Sequence, residues 1–296
     1  MSREQLDRVN EMIRAAHLGA LELPELRAAF DAQGDITPPD PSIQYMKETA
    51  NGVPCEIGLA PGSVSDATIL YLHGGGYMIG SCTSHRGLVA RLGQAAGVRT
   101  LAVDYRLAPE HPYPAAVDDA VAAYQWLLES GTSPDRVFFA GDSAGGGLAV
   151  ATLLRCKARN IALPRAVTLF SPFADMGTTG QSLVDNLERD VLVTEGMAPG
   201  MAQGYLSGAD PRSPEASPIY GDLAGLPPIL IQVSSHEVLL DDSLRLLRAA
   251  ILADVKVQLR VYQELPHVWQ LYAGVLDEGE EALAEAGAFL AEHLPK

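Results

Sequence analysis

Apolar runs and amphipathic stretches alternate along most of the chain. Six runs rich in β-branched, aromatic and leucine residues are typical of buried strands, and the segments between several of them carry apolar residues at helical spacing. The pattern predicts strands near 67–72, 99–103, 136–140, 166–170, 228–234 and 256–262. It predicts helices near 115–129, 144–158, 242–253 and 278–293. This alternation indicates an α/β fold with a mostly parallel central sheet and helices on both faces.

Two segments interrupt the alternation. Residues 1–45 are helical and charged at first and then rich in proline and aspartate, and residues 175–215 bring methionines, glycines and prolines between two strands. In a sheet of this kind such segments can lie above the carboxyl ends of the strands. We therefore expect a core over 46–174 and 216–296 and a cap region over 1–45 and 175–215. A surface insertion without contact to a ligand is the alternative for both segments.

A G-x-S-x-G sequence directly follows one of the predicted strands. The residues GDSAG at 141–145 come after the run 136–140 and open the helical pattern of 144–158. A strand, a sharp turn and a helix around a serine form the nucleophile elbow of α/β-hydrolases, whose strained turn lifts the hydroxyl out of the sheet. Ser143 is thus a candidate nucleophile. The alternative is a tight strand-to-helix turn with an idle serine.

A second glycine motif follows the predicted strand 67–72. The sequence HGGGY at 73–77 holds three consecutive glycines, which destabilise regular structure, so a close approach of the backbone to a ligand is one reason for them. In α/β-hydrolases an HGGG motif supplies N–H groups to an oxyanion hole, together with the residue after the nucleophile, here Ala144. A phosphate cradle is disfavoured, because no G-x-x-x-x-G-K-[ST] is present and no G-x-G-x-x-G precedes a helix.

A serine nucleophile needs a base, and His267 is the candidate. It lies in the loop that follows the predicted strand 256–262, and the order along the chain in α/β-hydrolases is serine, acid, histidine. His73 belongs to the glycine motif and is expected to brace its loop. A purely structural loop histidine is the alternative for His267.

The acid is expected after the predicted strand 228–234. Glu237 comes first, at the carboxyl end of the sheet, whereas Asp241 and Asp242 stand where the next helical pattern begins. Acidic residues at a helix start are favourable with the helix dipole, and Asp242 could be an N-cap. We favour Glu237 as the residue that holds the imidazole in the right tautomer, with Asp241 and Asp242 as alternatives.

Four motifs together resemble those of the bacterial hormone-sensitive-lipase-like esterases, the family IV carboxylesterases of the α/β-hydrolase superfamily. They are HGGG at 73–76, DYRLAPE at 104–110, GDSAGG at 141–146 and PH at 266–267, in the family's order and spacing. The resemblance runs from about residue 69 onwards. It implies an α/β-hydrolase core, a helical cap and carboxylic-ester hydrolysis, with oxyanion N–H groups from Gly74, Gly75 and Ala144. Many members carry DPLRD at the acid position, where this chain has EVLLD at 237–241.

The segment 104–110 is charged and leads into further prolines. We expect Asp104, Arg106 and Glu110 to brace this loop by hydrogen bonds rather than to take part in catalysis. The Pro-Glu-His sequence at its end is not a metal motif, because no second histidine at ligand spacing accompanies it. Neither a metal nor a cofactor is expected.

Charge and composition disfavour several classes of partner. The 21 basic and 37 acidic residues give a net charge of −16, which argues against nucleic acid and anionic membranes as partners. The first residues do not form a secretory signal, and no run of about 18 apolar residues predicts a transmembrane helix. The three cysteines have no paired spacing, which favours reduced thiols and a cytoplasmic protein.

The expected reaction is a two-step acyl transfer on a small ester with a short- to medium-chain acyl group. Ser143 attacks, His267 moves the proton and Glu237 stabilises the imidazolium. An arylformamidase or another small-amide hydrolase is an alternative, because it can share the glycine motif and the triad. A non-catalytic small-molecule receptor on the same fold is a further alternative, which would be expected to lack a triad member. The resemblance alone suggests a homodimer through the last strand and helix.

Overall fold

The computed structural model describes residues 3–16 and 21–295. Its strands are β1 (Gln44–Ala50), β2 (Val53–Leu59), β3 (Val64–Leu72), β4 (Val98–Val103), β5 (Val137–Asp142), β6 (Ala166–Phe170), β7 (Ile229–Ser234) and β8 (Val257–Tyr262). Its helices are α1 (Arg3–Ala15), α2 (Leu23–Ala32), α3 (Cys82–Ala96), α4 (Ala115–Glu129), α5 (Ser143–Ala158), α6 (Ser182–Asp185), α7 (Met197–Leu206), α8 (Leu240–Leu252) and α9 (Asp277–Glu292).

Within these residues the eight strands form one sheet in the order β1-β2-β4-β3-β5-β6-β7-β8. The neighbours from β4 to β8 run parallel, and β2 pairs in antiparallel fashion with both β1 and β4. Helices α4, α5 and α8 contribute to the apolar core on one face, and α3 and α9 contribute to the core on the other. Every residue of β5, β6 and β7 is buried for this reason. The predicted α/β fold is confirmed.

Strands β1 and β2 and helix α3 are among the elements that lie outside the predicted set. Strand β1 reads QYMKETA and is mostly exposed at the sheet edge, while β2 contains Pro54 and Gly58, so neither shows the apolar run of a buried strand. Helix α3 contains glycines and threonine, but Ser81 caps it with a reciprocal capping box and Gly97 ends it in the left-handed conformation. Sheet pairing and capping decide these elements, and neither gives a strong periodic signal.

The parallel strands bring their carboxyl ends to one edge of the sheet. Asp142 at the end of β5 pairs with Phe170 at the end of β6, and Ser234 at the end of β7 pairs with Tyr262 at the end of β8. The loops that leave this edge therefore start close together, as is usual for ligand sites in α/β sheets. Helices α2 and α7 supply side chains to the same edge. In the described part of the chain, no helix is long and apolar enough to span a membrane.

Candidate active site

Ser143 occupies a strained turn between β5 and α5. Its φ of +49° lies in the left-handed region, which is uncommon for residues other than glycine. A Cβ atom on Gly145 would lie 1.9 Å from the carbonyl oxygen of Leu72, so only glycine fits there. The close packing forces the chain to turn sharply from strand to helix, as the motif predicts for a nucleophile elbow.

A chain of hydrogen bonds joins Ser143, His267 and Glu237. The Oγ atom of Ser143 lies 2.9 Å from Nε2 of His267, and Nδ1 of the same ring lies 2.6 Å from Oε2 of Glu237. The other carboxylate oxygen of Glu237 accepts from the hydroxyl of Ser171 and from the N–H of Ser234, both at 2.7 Å. Nδ1–H of His267 thus donates to a fixed carboxylate, and Nε2 is left to accept from Ser143.

The environment changes the pKa of both partners. Burial disfavours the imidazolium, but the charge and hydrogen bond of Glu237 outweigh it and raise the pKa of His267. Burial raises the pKa of Glu237 itself, while His267 and Ser171 favour its ionised form. Three donors at 2.6–2.7 Å face this carboxylate, counting Nδ1 of His267, so we assign it as ionised.

Asp241 and Asp242, the alternatives to Glu237 as the acid, accept hydrogen bonds from other segments of the chain. Asp241 accepts from the N–H of Ser182 at 2.9 Å. Asp242 accepts from the backbone N–H groups of Ala174 and Asp175 at 2.7 and 2.9 Å. Helix α8 begins at Leu240 with Leu239 at the N-cap position, so the suggestion that Asp242 is an N-cap is wrong. The carboxylate that faces His267 belongs to Glu237.

The glycine motif lies beside the serine, with one difference from the predicted arrangement. Gly75 and Gly76 line the pocket with Ser143, and Ala144 is the second residue of α5, where a helix leaves N–H groups without intrahelical acceptors. The N–H of Gly74 instead donates to Oδ1 of buried Asp142 at 3.0 Å. Because its N–H already has an acceptor, this geometry disfavours Gly74 as an oxyanion donor, and that role stays a prediction.

Apolar side chains enclose the space in front of Ser143. A cavity of about 60 Å³ is lined by Ser143 and His267, by Gly75 and Gly76, and mostly by apolar side chains. These include Leu26, Phe30, Ile79, Phe173, Leu192, Val193, Met197, Met201, Leu239, Val268 and Leu271. A second cavity of about 440 Å³ lies next to it and shares Leu26, Met197 and Met201 with the first. The site thus has a small inner and a larger outer compartment.

The charged residues of segment 104–110 make structural contacts, as predicted. Asp104 accepts from the N–H of Cys82 at 2.6 Å, Arg106 pairs with Asp119 and Glu110 pairs with Arg27 of α2. Among residues 3–16 and 21–295, no group of three or more His, Cys, Asp or Glu side chains is arranged to hold a metal ion.

Comparison with known proteins identifies the family. A family model described as alpha/beta hydrolase fold matches residues 69–271. An acetyl-hydrolase of Streptomyces hygroscopicus is 45% identical over 296 residues, which cover 98% of this chain and 97% of that protein. An ethyl acetate hydrolase of Pseudomonas putida is 32% identical over 292 residues, which cover 93% and 92%. A crystal structure of an esterase from the bacterial hormone-sensitive lipase family superposes with a TM-score of 0.96 and 44% identity over 100% of both chains.

The chain belongs to the bacterial hormone-sensitive lipase family of esterases. The resemblance predicted from four motifs is confirmed, and with it the α/β-hydrolase fold. The esterase is an enzyme of the carboxylic ester hydrolase class.

Some residues of the esterase's site carry no clear signal in the sequence. Ser171 directly follows β6, so its place at a strand end was the available clue to its contact with Glu237. Leu26 and Phe30 of α2 are more than a hundred residues from Ser143 along the chain, and only the tertiary fold brings them to the pocket. Asp142 stands inside the G-x-S-x-G motif, but its contacts with the glycine loop depend on how β3 and β5 pair.

Proposed function

We propose that this esterase is a serine carboxylesterase that hydrolyses short- to medium-chain acyl esters through an acyl-enzyme. The observation that carries the proposal is the hydrogen-bonded chain from Ser143 through His267 to Glu237 at the edge of an apolar pocket. Such a chain supplies a nucleophile, a base that can reach its proton, and a group that orients the base.

In the first step, Ser143 attacks the ester carbonyl while Nε2 of His267 takes the hydroxyl proton. Glu237 stabilises the imidazolium that forms and keeps Nδ1–H directed toward itself. The imidazolium then protonates the leaving alcohol, and the acyl group stays on Ser143. Water repeats the sequence with the same base and releases the carboxylic acid.

We assign the oxyanion donors to the N–H groups of Gly75, Gly76 and Ala144. Gly75 and Gly76 border the same cavity as Ser143, and Ala144 follows the nucleophile at the start of a helix, where the dipole also favours negative charge. Gly76 replaces Gly74 in this assignment, because Gly74 donates to Asp142. Removing one such donor typically lowers kcat by about 10²–10³-fold.

The size of the inner cavity supports short acyl groups as the preferred substrates. About 60 Å³ of apolar space in front of Ser143 suits an acetyl or butyryl chain better than a long one. The proteins named acetyl-hydrolase and ethyl acetate hydrolase among the relatives agree with this preference. The outer cavity, which shares Met201 with the inner one, offers room for the rest of the ester.

We further propose that residues 1–45 and 175–215 form a cap over a core of residues 46–174 and 216–296. Side chains from both segments border the inner cavity, among them Phe30 from the first segment and Met197 from the second. Methionine is flexible and adapts to differently shaped apolar ligands, which suits the wall of an ester pocket.

The test is hydrolysis of p-nitrophenyl acetate, butyrate, octanoate and palmitate by the wild type and by Ser143→Ala. Ser133→Ala, at an exposed serine, is the matched control. We expect a short-chain optimum that is lost in Ser143→Ala and kept in the control. A matched N-formyl anilide in the same assay tests the small-amide alternative, because faster turnover of the formamide than of the esters would replace the ester assignment. Failure of the wild type on all four esters would overturn the proposal.

A homodimer through the last strand, β8, and the last helix, α9, is also proposed. Strand β8 ends the sheet, and Val261 on this strand is an exposed apolar residue. A dimeric mass by light scattering that becomes monomeric in Val261→Asp is expected, and a monomeric wild type would exclude it.

A cytoplasmic location is proposed because Cys55, Cys82 and Cys156 are free thiols.

A further inference from the structure

The residue that precedes the nucleophile has a buried carboxylate with three polar groups around it. Asp142 is only about 1% exposed. Its Oδ1 accepts from the hydroxyl of Tyr71 at 2.7 Å and from the N–H of Gly74 at 3.0 Å, and Nε2 of His85 lies 3.2 Å from Oδ2. None of these groups takes part in the proton transfers proposed above. A buried charge is costly unless it is paired, so its retention beside Ser143 calls for a reason.

The residues HGGGY at 73–77 are called the oxyanion loop from here on. The contact between Asp142 and Gly74 helps to fix one peptide unit of this loop from both ends. The carbonyl oxygen of His73 accepts from the hydroxyl of Tyr105 at 2.6 Å, and the N–H of the same peptide unit, on Gly74, donates to Asp142. Because a peptide unit is planar and trans, two hydrogen bonds at opposite ends leave it little freedom to rotate. The loop is therefore held against β5 at the position of Gly74.

The next peptide unit carries the proposed oxyanion donor of Gly75. Its carbonyl, on Gly74, lies 2.8 Å from Nδ1 of His73, and a carbonyl can only accept, so Nδ1 carries the proton. Burial and the neighbouring His85 lower the pKa of His73 to about 4, which keeps the ring neutral at pH 7. With the carbonyl directed to His73, the N–H of Gly75 points the opposite way in the same plane. The direction of this donor thus depends on where Gly74 is held.

The loop lies directly on the carboxylate. A Cβ atom on Gly74 would lie only 2.1 Å from Oδ2 of Asp142, so the glycine backbone and the carboxylate are in close contact. A change in the size of the side chain at position 142 must therefore move the loop or leave a gap beneath it. Either change alters the distance between Ser143 and the N–H of Gly75.

His85 keeps Asp142 in its ionised form. Burial alone raises the pKa of this carboxyl, but His85 and Tyr71 outweigh it, and the pKa of Asp142 is lowered. The imidazole of His85 is itself buried, with Nδ1 2.9 Å from the hydroxyl of Ser84 in α3. The ionised form leaves both oxygens free to accept hydrogen bonds.

We propose that Asp142 is a positioning residue, supported by His85, that fixes the oxyanion loop so that the N–H of Gly75 faces the carbonyl attacked by Ser143. This inference rests on the proposed esterase function and adds a residue to its machinery. Asp142 borders the cavity, but its carboxylate bonds to Tyr71, Gly74 and His85, and it acts on the reaction through Gly74. Asp142 therefore helps to stabilise the charged transition state specifically, and its loss leaves the binding of the neutral ester nearly unchanged.

The test compares Asp142→Ala with Asp142→Asn. In Asp142→Ala we expect kcat for p-nitrophenyl acetate to fall by about 10- to 100-fold with KM within about threefold of wild type, because a shift of about 1 Å in a positioned group can cost that much. Asp142→Asn keeps an oxygen that can accept from Gly74, so it should recover most of kcat. Asp119→Ala, which removes another largely buried carboxylate on α4, is the matched control for loss of stability and should keep the kcat of wild type.

A pair of inhibitors separates positioning from a general loss of structure. An alkyl trifluoromethyl ketone adds to Ser143 and places an oxyanion in the loop, whereas the matched methyl ketone binds without one. We expect Asp142→Ala to weaken the trifluoromethyl ketone by the same factor as kcat/KM and to leave the inhibition constant of the methyl ketone unchanged. Equal weakening of both ketones, or a raised KM with unchanged kcat, would overturn the inference.

A second variant tests the same proposal if Asp142→Ala folds poorly. His85→Gln leaves Asp142 and Gly74 in place but removes the imidazole, and we expect a fall in kcat of at least about threefold with KM preserved. Wild-type kcat and KM in a folded His85→Gln would reject the role of the pair. An inactive wild type would instead refute the esterase function, so the two failures are distinct.

Discussion

The hydroxyl of Ser171 donates a 2.7 Å hydrogen bond to Oε1 of Glu237, on the carboxylate whose other oxygen faces His267. Both residues are fully buried. Ser171 thereby fixes the rotation of a carboxylate that lies after a different strand. The orientation of His267 thus depends on the loops after β6, β7 and β8 together.

Removing this hydroxyl should affect stability more than turnover. In Ser171→Ala the ionised form of Glu237 loses a donor, and we expect the free energy of unfolding to fall by about 1.5–3 kcal/mol. Because the N–H of Ser234 still donates to Glu237, kcat should fall by less than about tenfold. Urea denaturation and steady-state kinetics measure the two effects. Ser217→Ala, at a buried serine that bonds to Met176 and Pro211, is the control and should retain full kcat.

Replacement of Glu237 by glutamine should nearly abolish turnover while the protein stays folded. The amide can donate to Nδ1 of His267 and favour the wrong tautomer, and in a serine protease the equivalent change of acid to amide lowers kcat by about 10⁴-fold. Asp241→Asn, four residues away, is the control, because its carboxylate bonds to Ser182. If Asp241→Asn lost activity and Glu237→Gln kept it, the acid would have to be reassigned.

The acid limb of the pH profile should report His267. Only the neutral imidazole can take the proton of Ser143, so kcat/KM falls as pH drops through the pKa of His267. Because Glu237 raises that pKa above the ordinary value of 6.5, the midpoint of the limb is expected above pH 6.5. In Glu237→Gln the acid limb of the residual kcat/KM should have its midpoint at a lower pH than in the wild type. An unchanged midpoint in that variant would contradict the coupling between the two side chains.

Shortening Met201 should lengthen the preferred acyl chain. Met201 borders both the inner and outer cavities and packs against Gly76, where an added Cβ would lie 2.0 Å from its sulfur. Met201→Ala joins the two spaces, so we expect the ratio of kcat/KM for p-nitrophenyl octanoate over butyrate to rise by about tenfold. Met78→Ala is the control, because Met78 borders only the outer of these two cavities. An unchanged ratio in Met201→Ala would show that Met201 does not limit the chain length.

Asp242 should make the protein less stable as the pH rises. Burial raises the pKa of this carboxyl to about 7, against 3.8 for an ordinary aspartate. A group whose pKa is higher in the folded state contributes its stability below the unfolded value and loses it as the pH rises through the folded value. Asp242→Asn cannot ionise, so at pH 8 its free energy of unfolding should exceed that of wild type by up to about 4 kcal/mol.

The comparison for Asp242→Asn is made by urea denaturation at pH 5 and pH 8. The asparagine oxygen can still accept from Ala174 and Asp175, so the variant keeps the bonds that hold their loop. We expect the difference from wild type to be about 2–3 kcal/mol larger at pH 8 than at pH 5. A difference that is the same at both pH values would mean that Asp242 does not titrate in this range.

The fold class and the order of the chemical groups along the chain follow from local sequence. The apolar runs around 136–140 and 228–234 are long enough to read as strands buried on both faces, and the patterns between strands have helical spacing. The glycines around Ser143 and after His73 signal a strained turn and a close backbone approach, because other residues would clash there. These are local requirements, and so neighbouring residues are enough to encode them.

Which of these groups meet is a property of the folded chain. The pairing of β3 with β5 brings Gly74 against Asp142, and this contact directs the N–H of Gly74 away from the pocket. The packing of α2 against the loops brings Phe30 to Ser143, and the ends of β6 and β7 bring Ser171 to Glu237. Such contacts join residues that are distant along the chain, so no periodicity or short motif encodes them. Their geometry follows from strand order, register and packing, which exist only once the chain has folded.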